Sequence, residues 1–424
     1  MTTQSTTADN SAAKDGAANS AGVCYPAGFK SSGIVAGLKA SGRRDLALVV
    51  NEGENVSSAV VTTTNRVFAA PVKHLRQQPG RHRLTHVILN SGNANAATGE
   101  AGYQDVLTTA HALAQNTGAN LDQVAVCSTG VIGQKLDVDT LVDAIPELAS
   151  KLQDSSGVEA AEAICTTDTR IKIHQQQYFG RSGETEGQWR VGGMVKGAGM
   201  IAPAMATMLA IVTTDAAVSP AQAQRSLEKA VARTFNRTDT DGCMSTNDTV
   251  ILMCSGRSAI TPSAADFDAA VEAACADLAG QILEDAEGAH HSVSIEVRGA
   301  HSEAAAEIVG RAVVRSALFK TAIYGGDPNW GRILSQVGTV PTSEATFEAD
   351  QIEIAINGTT LCRGGAMITP TPEVELPGPL APGHSGELPH VHVLVNLNAG
   401  PHHATIYTTD LTNDYVAINS EYTT

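Results

Sequence analysis

Thr207 carries the hydroxyl in Lys196-Gly-Ala-Gly-Met-Ile-Ala-Pro-Ala-Met-Ala-Thr207-Met-Leu, a run otherwise of small and aliphatic residues. Lys196 closes the upstream end of that run, and Ala210-Ile-Val-Thr-Thr-Asp-Ala behind it predicts a buried strand. A threonine hydroxyl is a poor nucleophile unless a base stands beside it. Cutting the Ala206–Thr207 bond would supply that base. The freed α-amine, with an ordinary pKa of about 7.7–8.0, lies within reach of its own hydroxyl. Gly197, Gly199, Ala202, Ala204 and Ala206 let backbone approach closely there. The plainer alternative is a buried strand whose threonine only hydrogen-bonds its neighbours, as most buried threonines do.

Other stretches offer partners. Gln123-Val-Ala-Val-Cys-Ser-Thr129-Gly130 runs a strand into a Ser-Thr-Gly turn. A hydroxyl and a backbone N–H at such a turn are the materials of an oxyanion hole. Cys165-Thr-Thr-Asp-Thr follows a helix predicted over 158–164. Lys196 is costly to bury unpaired, and either meets an anion or reaches solvent along its stem. Asp241-Gly-Cys-Met-Ser-Thr-Asn-Asp-Thr is a dense polar cluster, either a turn network or a site wall, with a supporting role favoured. The segment Lys320-Thr-Ala-Ile-Tyr-Gly-Gly-Asp-Pro-Asn-Trp-Gly-Arg332 is a further candidate, with a buried loop network as the equal alternative. Gly193, Gly197 and Gly199 lack the G-x-G-x-x-G order of a dinucleotide site, and no P-loop lysine and serine follow.

The pattern K-G-x-G-M-I-x-P-x-M-A-T-M-L resembles the autoprocessing site of the ArgJ family, the ornithine acetyltransferases. The Asp241 cluster and the Lys320–Arg332 segment resemble family segments too, and the similarity runs from residue 22 to 424. The resemblance implies an α/β fold of layered sheets and helices, similar to that of the peptidase DmpA, in an autoprocessed N-terminal-threonine enzyme. It implies cleavage between Ala206 and Thr207 into an α chain, 22–206 behind a disordered tail over 1–21, and a β chain, 207–424. It implies acetyl transfer from N2-acetyl-L-ornithine to L-glutamate through an acetyl-Thr207 intermediate, in cyclic arginine biosynthesis. Thr129 and Gly130 would form the oxyanion hole. Thr167 (with Thr166 a close second), Lys196, Thr207, Glu287, Asn419 and Thr424 would bind substrate. No cofactor is implied, although acetyl-CoA serves many members as a second donor. The α and β chains would assemble as a heterotetramer of two of each. The family usually continues E-G-A-T-K after this glutamate; here His290-His291 replace the last two residues. Two other readings stand beside this one: an N-terminal-threonine amidohydrolase or peptidase releasing its acyl group to water, and a non-catalytic binding protein descended from such an enzyme.

Positioning these residues takes a sizeable scaffold. A chain of 424 residues exceeds one small core, and with 4% aromatics and 39 glycines much of the packing falls to small side chains. The net charge of −16 and the lack of a basic stripe exclude a general nucleic-acid binder. No apolar run reaches membrane-spanning length. The first 21 residues have neither a secretion signal's apolar centre nor a presequence's arginines, so a cytoplasmic protein is expected. The seven cysteines are scattered without a C-x-x-C pair, which favours reduced thiols over a zinc site. The pairs His290-His291 and His402-His403 are assigned to solvated loops rather than to a metal. Strands are predicted over 46–50, 59–63, 87–89, 189–195, 250–253 and 391–397. Helices are predicted over 103–115, from Ser219-Pro220, from Ser263, and over 304–315. Residues 171–188 and 370–389 are predicted to be surface loops.

Overall fold

The structure is a computed structural model that describes residues 21–183, 185–202, 208–380 and 387–421. The tail predicted over 1–21 lies outside these residues except for its last position, as do Ala206, Thr207 and Thr424. The first strands are β1 Phe29–Ile34, β2 Leu46–Asn51, β3 Ser57–Thr62, β4 His86–Asn93 and β5 Val124–Val131. Next come β6 Lys172–Ser182, β7 Thr185–Lys196, β8 Leu209–Thr214 and β9 Thr249–Cys254. The last are β10 Ser292–Ala300, β11 Glu353–Ile356, β12 Thr359–Arg363, β13 Ala366–Met367, β14 His390–Asn396 and β15 His402–Thr409. Among the described residues they form three sheets, ordered β1-β2-β4-β5, β3-β9-β8-β7-β6 and β13-β12-β11-β14-β10-β15.

Alternation along the strands stacks the first two sheets. Ala47 and Val49 of β2 share a buried cluster with Leu209 and Ile211 of β8 and with Ile251 and Met253 of β9. The residues between them point the other way. Leu46, Leu48 and Val50 meet helices Gly99–Thr117 and Val138–Ser150. Ala210, Val212, Val250 and Leu252 meet helices Pro220–Arg233 and Ala264–Leu283. The result is a helix–sheet–sheet–helix stack. Strands buried on both faces need a continuous apolar run, which is why β2 and β8 show no polar alternation. Each fully buried aliphatic side chain contributes roughly 1.5–3 kcal/mol. The third sheet packs its own core against helix Glu303–Val314.

The α/β class and most predicted elements are present. Helix Gly99–Thr117 ends on Gly118 in the left-handed conformation. Ser219 and Ser263 each accept a backbone N–H at the head of their helix. The segment 171–188 is corrected: it is not a loop but the hairpin of β6 and β7. Its glutamines face solvent on an edge strand, which removed the apolar signal. Its glycines make room for Ile260, since a Cβ at Gly180 or Gly187 would come within 3.0 or 2.9 Å of that side chain. The stretch 370–389 carries no helix or strand in its described part, yet Val374 and Leu376 pack on the third core. The histidine pairs each match half of the expectation: His402 and His403 are exposed but begin β15, whereas His290 and His291 lie in the loop before β10 with His291 fully buried.

Candidate active site

Strand register brings several predicted residues to one edge of the stack. β7 runs antiparallel to β8 with Lys196 opposite Leu209, and β8 runs parallel to β9 with Leu209 opposite Thr249. The end of β7 and the starts of β8 and β9 therefore emerge together. Thr207 belongs just upstream of β8, a central strand of its sheet, although it lies outside the described residues. From the facing sheet, β5 delivers Thr129 and Gly130. The β4–β5 register shifts at Gly92 and Asn93, opposite this pair, and such a bulge re-aims the backbone. Gly130 has φ +133°, and a Cβ there would lie 2.3 Å from the Gly92 carbonyl carbon. Only glycine fits.

Thr129, Gly130, Thr167, Lys196, Glu287 and Asn419 all line one open cleft, with Thr166 beside Thr167. Asn419 is exposed on the C-terminal helix Asn413–Glu421. Ala206, Thr207 and Thr424 lie outside the described residues. The Thr129 hydroxyl is buried in the cleft wall and has no hydrogen-bond partner among the described residues. Unmatched buried hydroxyls are uncommon, and one at this turn is placed to donate to an oxyanion. The Glu287 carboxylate lies over Gly199, where a Cβ would approach it to 2.5 Å. The Glu287 N–H donates to the Ala198 carbonyl at 3.0 Å, which fixes that approach.

Sequence reasoning weighed the Asp241 cluster as a site wall but favoured a supporting role; the cluster does both. Ser245, Thr246 and Asn247 also line the cleft. Asn247 Nδ2 donates to the Ala94 and Ser128 carbonyls at 2.6 and 2.8 Å, joining the head of β9 to β5. The Asp241 cluster also braces the cleavage segment. Asp241 Oδ2 accepts the Ile201 N–H at 3.2 Å, and Ile201 in turn accepts from Thr240. Asp248 Oδ1 accepts the Met208 N–H at 3.1 Å. Complete burial pushes the Asp248 carboxyl well above the usual carboxylate range. The density of side-chain donors and acceptors in Ser-Thr-Asn-Asp-Thr was the available signal.

Charge in the cleft wall is arranged in pairs. Lys196 is buried with its Nζ 4.0 Å from Asp168 Oδ2. Burial pulls the Lys196 ammonium below its ordinary pKa, and Asp168 opposes that fall. Burial works to raise the Asp168 carboxyl, but Lys196 and Lys172 outweigh it and hold the group well below the carboxylate range.

The departure at His290-His291 closes a clasp beside Glu287. His291 Nδ1 lies 2.7 Å from Asp410 Oδ2, and Nε2 lies 2.8 Å from the Pro377 carbonyl. Both partners only accept, so both ring nitrogens donate and the ring is an imidazolium. Burial disfavours that charge, yet the bonds to Asp410 and Pro377 outweigh it and hold the pKa above its ordinary value. His290 Nε2 lies 2.7 Å from Asp414 Oδ2, at the head of the helix that carries Asn419. A raised folded-state pKa stabilises fully below the unfolded value of about 6.5, and that stability is lost as pH rises through the folded value. Thermal unfolding measured from pH 6 to 9 is therefore expected to show wild type losing stability above about pH 6.5. His291→Gln, which cannot titrate, should start lower and lose less over that window. A variant with the wild-type slope would refute the imidazolium assignment.

Comparison with known proteins places this arrangement. The sequence model of the ArgJ family matches residues 30–424. This chain belongs to the ArgJ family. It is 47% identical over 402 residues to the arginine biosynthesis bifunctional protein ArgJ of Thermobifida fusca, covering 95% of this chain and 100% of that one. The protein of the same name from Streptomyces avermitilis is 45% identical over 395 residues, covering 93% of this chain and 98% of that one. Among solved structures, ornithine acetyltransferase of Mycobacterium tuberculosis complexed with ornithine is 43% identical, with a TM-score of 0.38, covering 43% of this chain and 94% of that chain. As an ArgJ family member the chain is an acetyltransferase of arginine biosynthesis. All seven of its cysteines are free thiols, and only Cys243 is exposed. Among the described residues no helix is long and apolar enough to cross a membrane.

Proposed function

We propose that the chain cuts itself between Ala206 and Thr207 and then carries acetyl from N2-acetylornithine to glutamate on the Thr207 hydroxyl. The observation that carries this reading is the cleft in which Thr129, Gly130, Thr167, Lys196, Glu287 and Asn419 converge at the mouth of β8. Thr207 attacks the acetyl carbonyl while its own α-amine takes the hydroxyl proton. The negative oxygen of the tetrahedral intermediate rests between the Thr129 hydroxyl and the Gly130 N–H. Collapse breaks the amide bond, the amine returns its proton to the leaving nitrogen, and ornithine departs. The amine of glutamate then attacks the acetyl ester by the reverse sequence, releasing N-acetylglutamate and restoring Thr207.

The two amino acids share one site because they share a backbone. Lys196 suits the α-carboxylate, which a buried cation binds strongly. Glu287 suits the ornithine side-chain ammonium, and Thr167, Asn419 and Thr424 complete the contacts. Acetyl-CoA is a second donor in this reading. The chains 1–206 and 207–424 pair into a heterotetramer of two α and two β chains in the cytoplasm.

Denaturing intact-mass measurement combined with acetyl exchange tests the reading. Two chains meeting at Ala206/Thr207, and N-acetylglutamate formed only when glutamate is present, are expected. Acetate released without glutamate would favour the amidohydrolase. A single uncut chain that transfers nothing would overturn the proposal.

A further inference from the structure

No residue from Lys320 to Arg332 lines the acetyl-transfer cleft. The first of them is nonetheless a buried cation. Lys320 lies on the inner face of helix Ala317–Tyr324 and is 6% exposed. Its Nζ donates to the Thr240 carbonyl. An ammonium carries three N–H donors, so two are left without a partner among the described residues. A buried charge is costly unless it is both paired and hydrogen-bonded, and one neutral carbonyl does neither job fully.

The acids that act on Lys320 are each engaged elsewhere. Asp239 Oδ2 accepts from Arg315 Nε at 2.8 Å. Asp410 Oδ2 lies 2.7 Å from His291 Nδ1. Asp241 accepts the Ile201 and Cys243 N–H groups at 3.2 and 3.0 Å. Burial pulls the Lys320 ammonium below its ordinary pKa, and Asp241, Asp239 and Asp410 oppose that fall without contacting it. The fold thus keeps a cation buried and supplies no contact anion for it among the described residues.

Lys320 lines a second cavity, which shares no lining residue with the acetyl-transfer cleft. Arg315 joins it there, at the end of helix Glu303–Val314, with about half of its side chain exposed. Val314, Ala317 and Leu411 give the cavity an apolar wall, and Tyr415 reaches it from the C-terminal helix. Burial, Asp241, Glu287 and Cys243 push the Tyr415 phenol up to about 12, so it keeps its proton and serves as a donor.

We propose that this cavity is a second ligand site and takes a small monocarboxylate, its carboxylate held between Lys320 and Arg315 and its short aliphatic tail laid on Val314, Ala317 and Leu411. Planar carboxylates suit a guanidinium fork beside an ammonium. A phosphate dianion suits it less, because Asp239 already occupies part of the Arg315 charge and Asp241 stands on the same wall. An amino acid would need an anion for its ammonium. Asp241 is a poor one, since both of its oxygens accept backbone N–H groups and burial raises its pKa. Occupancy would also be felt in the segment that leads to the cleavage site. The carbonyl that Lys320 holds belongs to Thr240, whose N–H donates to the Ile201 carbonyl at 2.7 Å. This site does not depend on Thr207 carrying acetyl.

The experiment is thermal unfolding of the purified protein titrated with sodium butyrate, with sodium chloride adjusted to hold ionic strength constant. A ligand that binds only the folded state raises the melting temperature along a saturating curve. Wild type is expected to show such a curve with a Kd on the order of millimolar, as suits one charged contact and a short tail. Lys320→Met is expected to weaken the response about tenfold or more. Ala317→Trp fills the cavity without touching either cation and should abolish it, so it decides the matter if Lys320→Met does not fold. Arg315→Gln, at a half-exposed side chain, should weaken it severalfold. Lys196→Met, in the other cleft, should respond as wild type does. No saturable response in wild type would overturn the proposal. So would a response kept in Ala317→Trp, or one lost in Lys196→Met, since butyrate would then be in the acetyl-transfer cleft. Inorganic phosphate or L-2-aminobutyrate binding more tightly than butyrate would overturn the class of ligand assigned.

Discussion

Thr207→Ala is expected to yield a single uncut chain that transfers no acetyl group. The substitution removes the hydroxyl that attacks, and without cleavage it also withholds the α-amine that serves as base. Nucleophile and base come from one residue, so their losses do not add as independent effects. Removing such a unit costs on the order of 10⁶ in kcat in enzymes where it has been dissected. The scaffold is expected to survive. Ile201 is tied to Thr240 and Asp241 on one side of the site, and Met208 is tied to Asp248 on the other. A folded, uncut chain showing wild-type thermal unfolding is the outcome to look for. Thr207→Ser keeps both groups and should retain cleavage and turnover, each slowed. Intact mass and N-acetylglutamate formation measured on the same preparations check both. A Thr207→Ala protein that stays whole and still forms N-acetylglutamate would remove Thr207 from the mechanism.

What could be seen from sequence followed the strength of the local signal. β2, β8 and β9 are continuous apolar runs because both of their faces are covered, and length with β-branching was enough to find them. β6 was invisible for the converse reason. It is an edge strand whose glutamines face water and whose Gly180 answers to Ile260, far off in sequence. The cleft residues were legible through resemblance more than through chemistry. Nothing local to Asn419 says that an exposed helix at the chain's end reaches the cleft. Lys196 shows the limit best. Its burial was expected to need an anion or an exit to solvent, but Asp168 is 28 residues away, and Lys172, which shares Asp168, is brought alongside by the β6–β7 hairpin. Short-range patterns find strands and caps, whereas the partners of a buried charge are set by topology. His291 fails in the same way, because its two acceptors come from β15's end and from an irregular stretch after β13.

Thr129→Val separates stability from catalysis more cleanly than any other change in the cleft. Valine has nearly the shape of threonine and lacks only the hydroxyl. In most cores that swap costs stability, because the hydroxyl leaves a partner unmatched. Here the Thr129 hydroxyl has no partner among the described residues and is buried. Removing an unmatched buried polar atom relieves a desolvation cost, so the melting temperature should hold or rise slightly. Turnover should move the other way. If this hydroxyl is one of two donors to the oxyanion, its loss should lower kcat by roughly 10²–10³ with little change in KM, since the ground-state carbonyl gains less from the bond than the oxyanion does. The neighbouring donor cannot be tested this way. It is a backbone N–H, and Gly130→Ala would drive a Cβ to 2.3 Å from the Gly92 carbonyl carbon at φ +133°, confounding chemistry with folding. Steady-state kinetics on protein confirmed as cleaved, with thermal unfolding of the same sample, makes the comparison. A stable Thr129→Val enzyme with undiminished kcat would place the oxyanion elsewhere. A fall in both stability and kcat would mean that the hydroxyl has a hydrogen-bond partner in the folded protein.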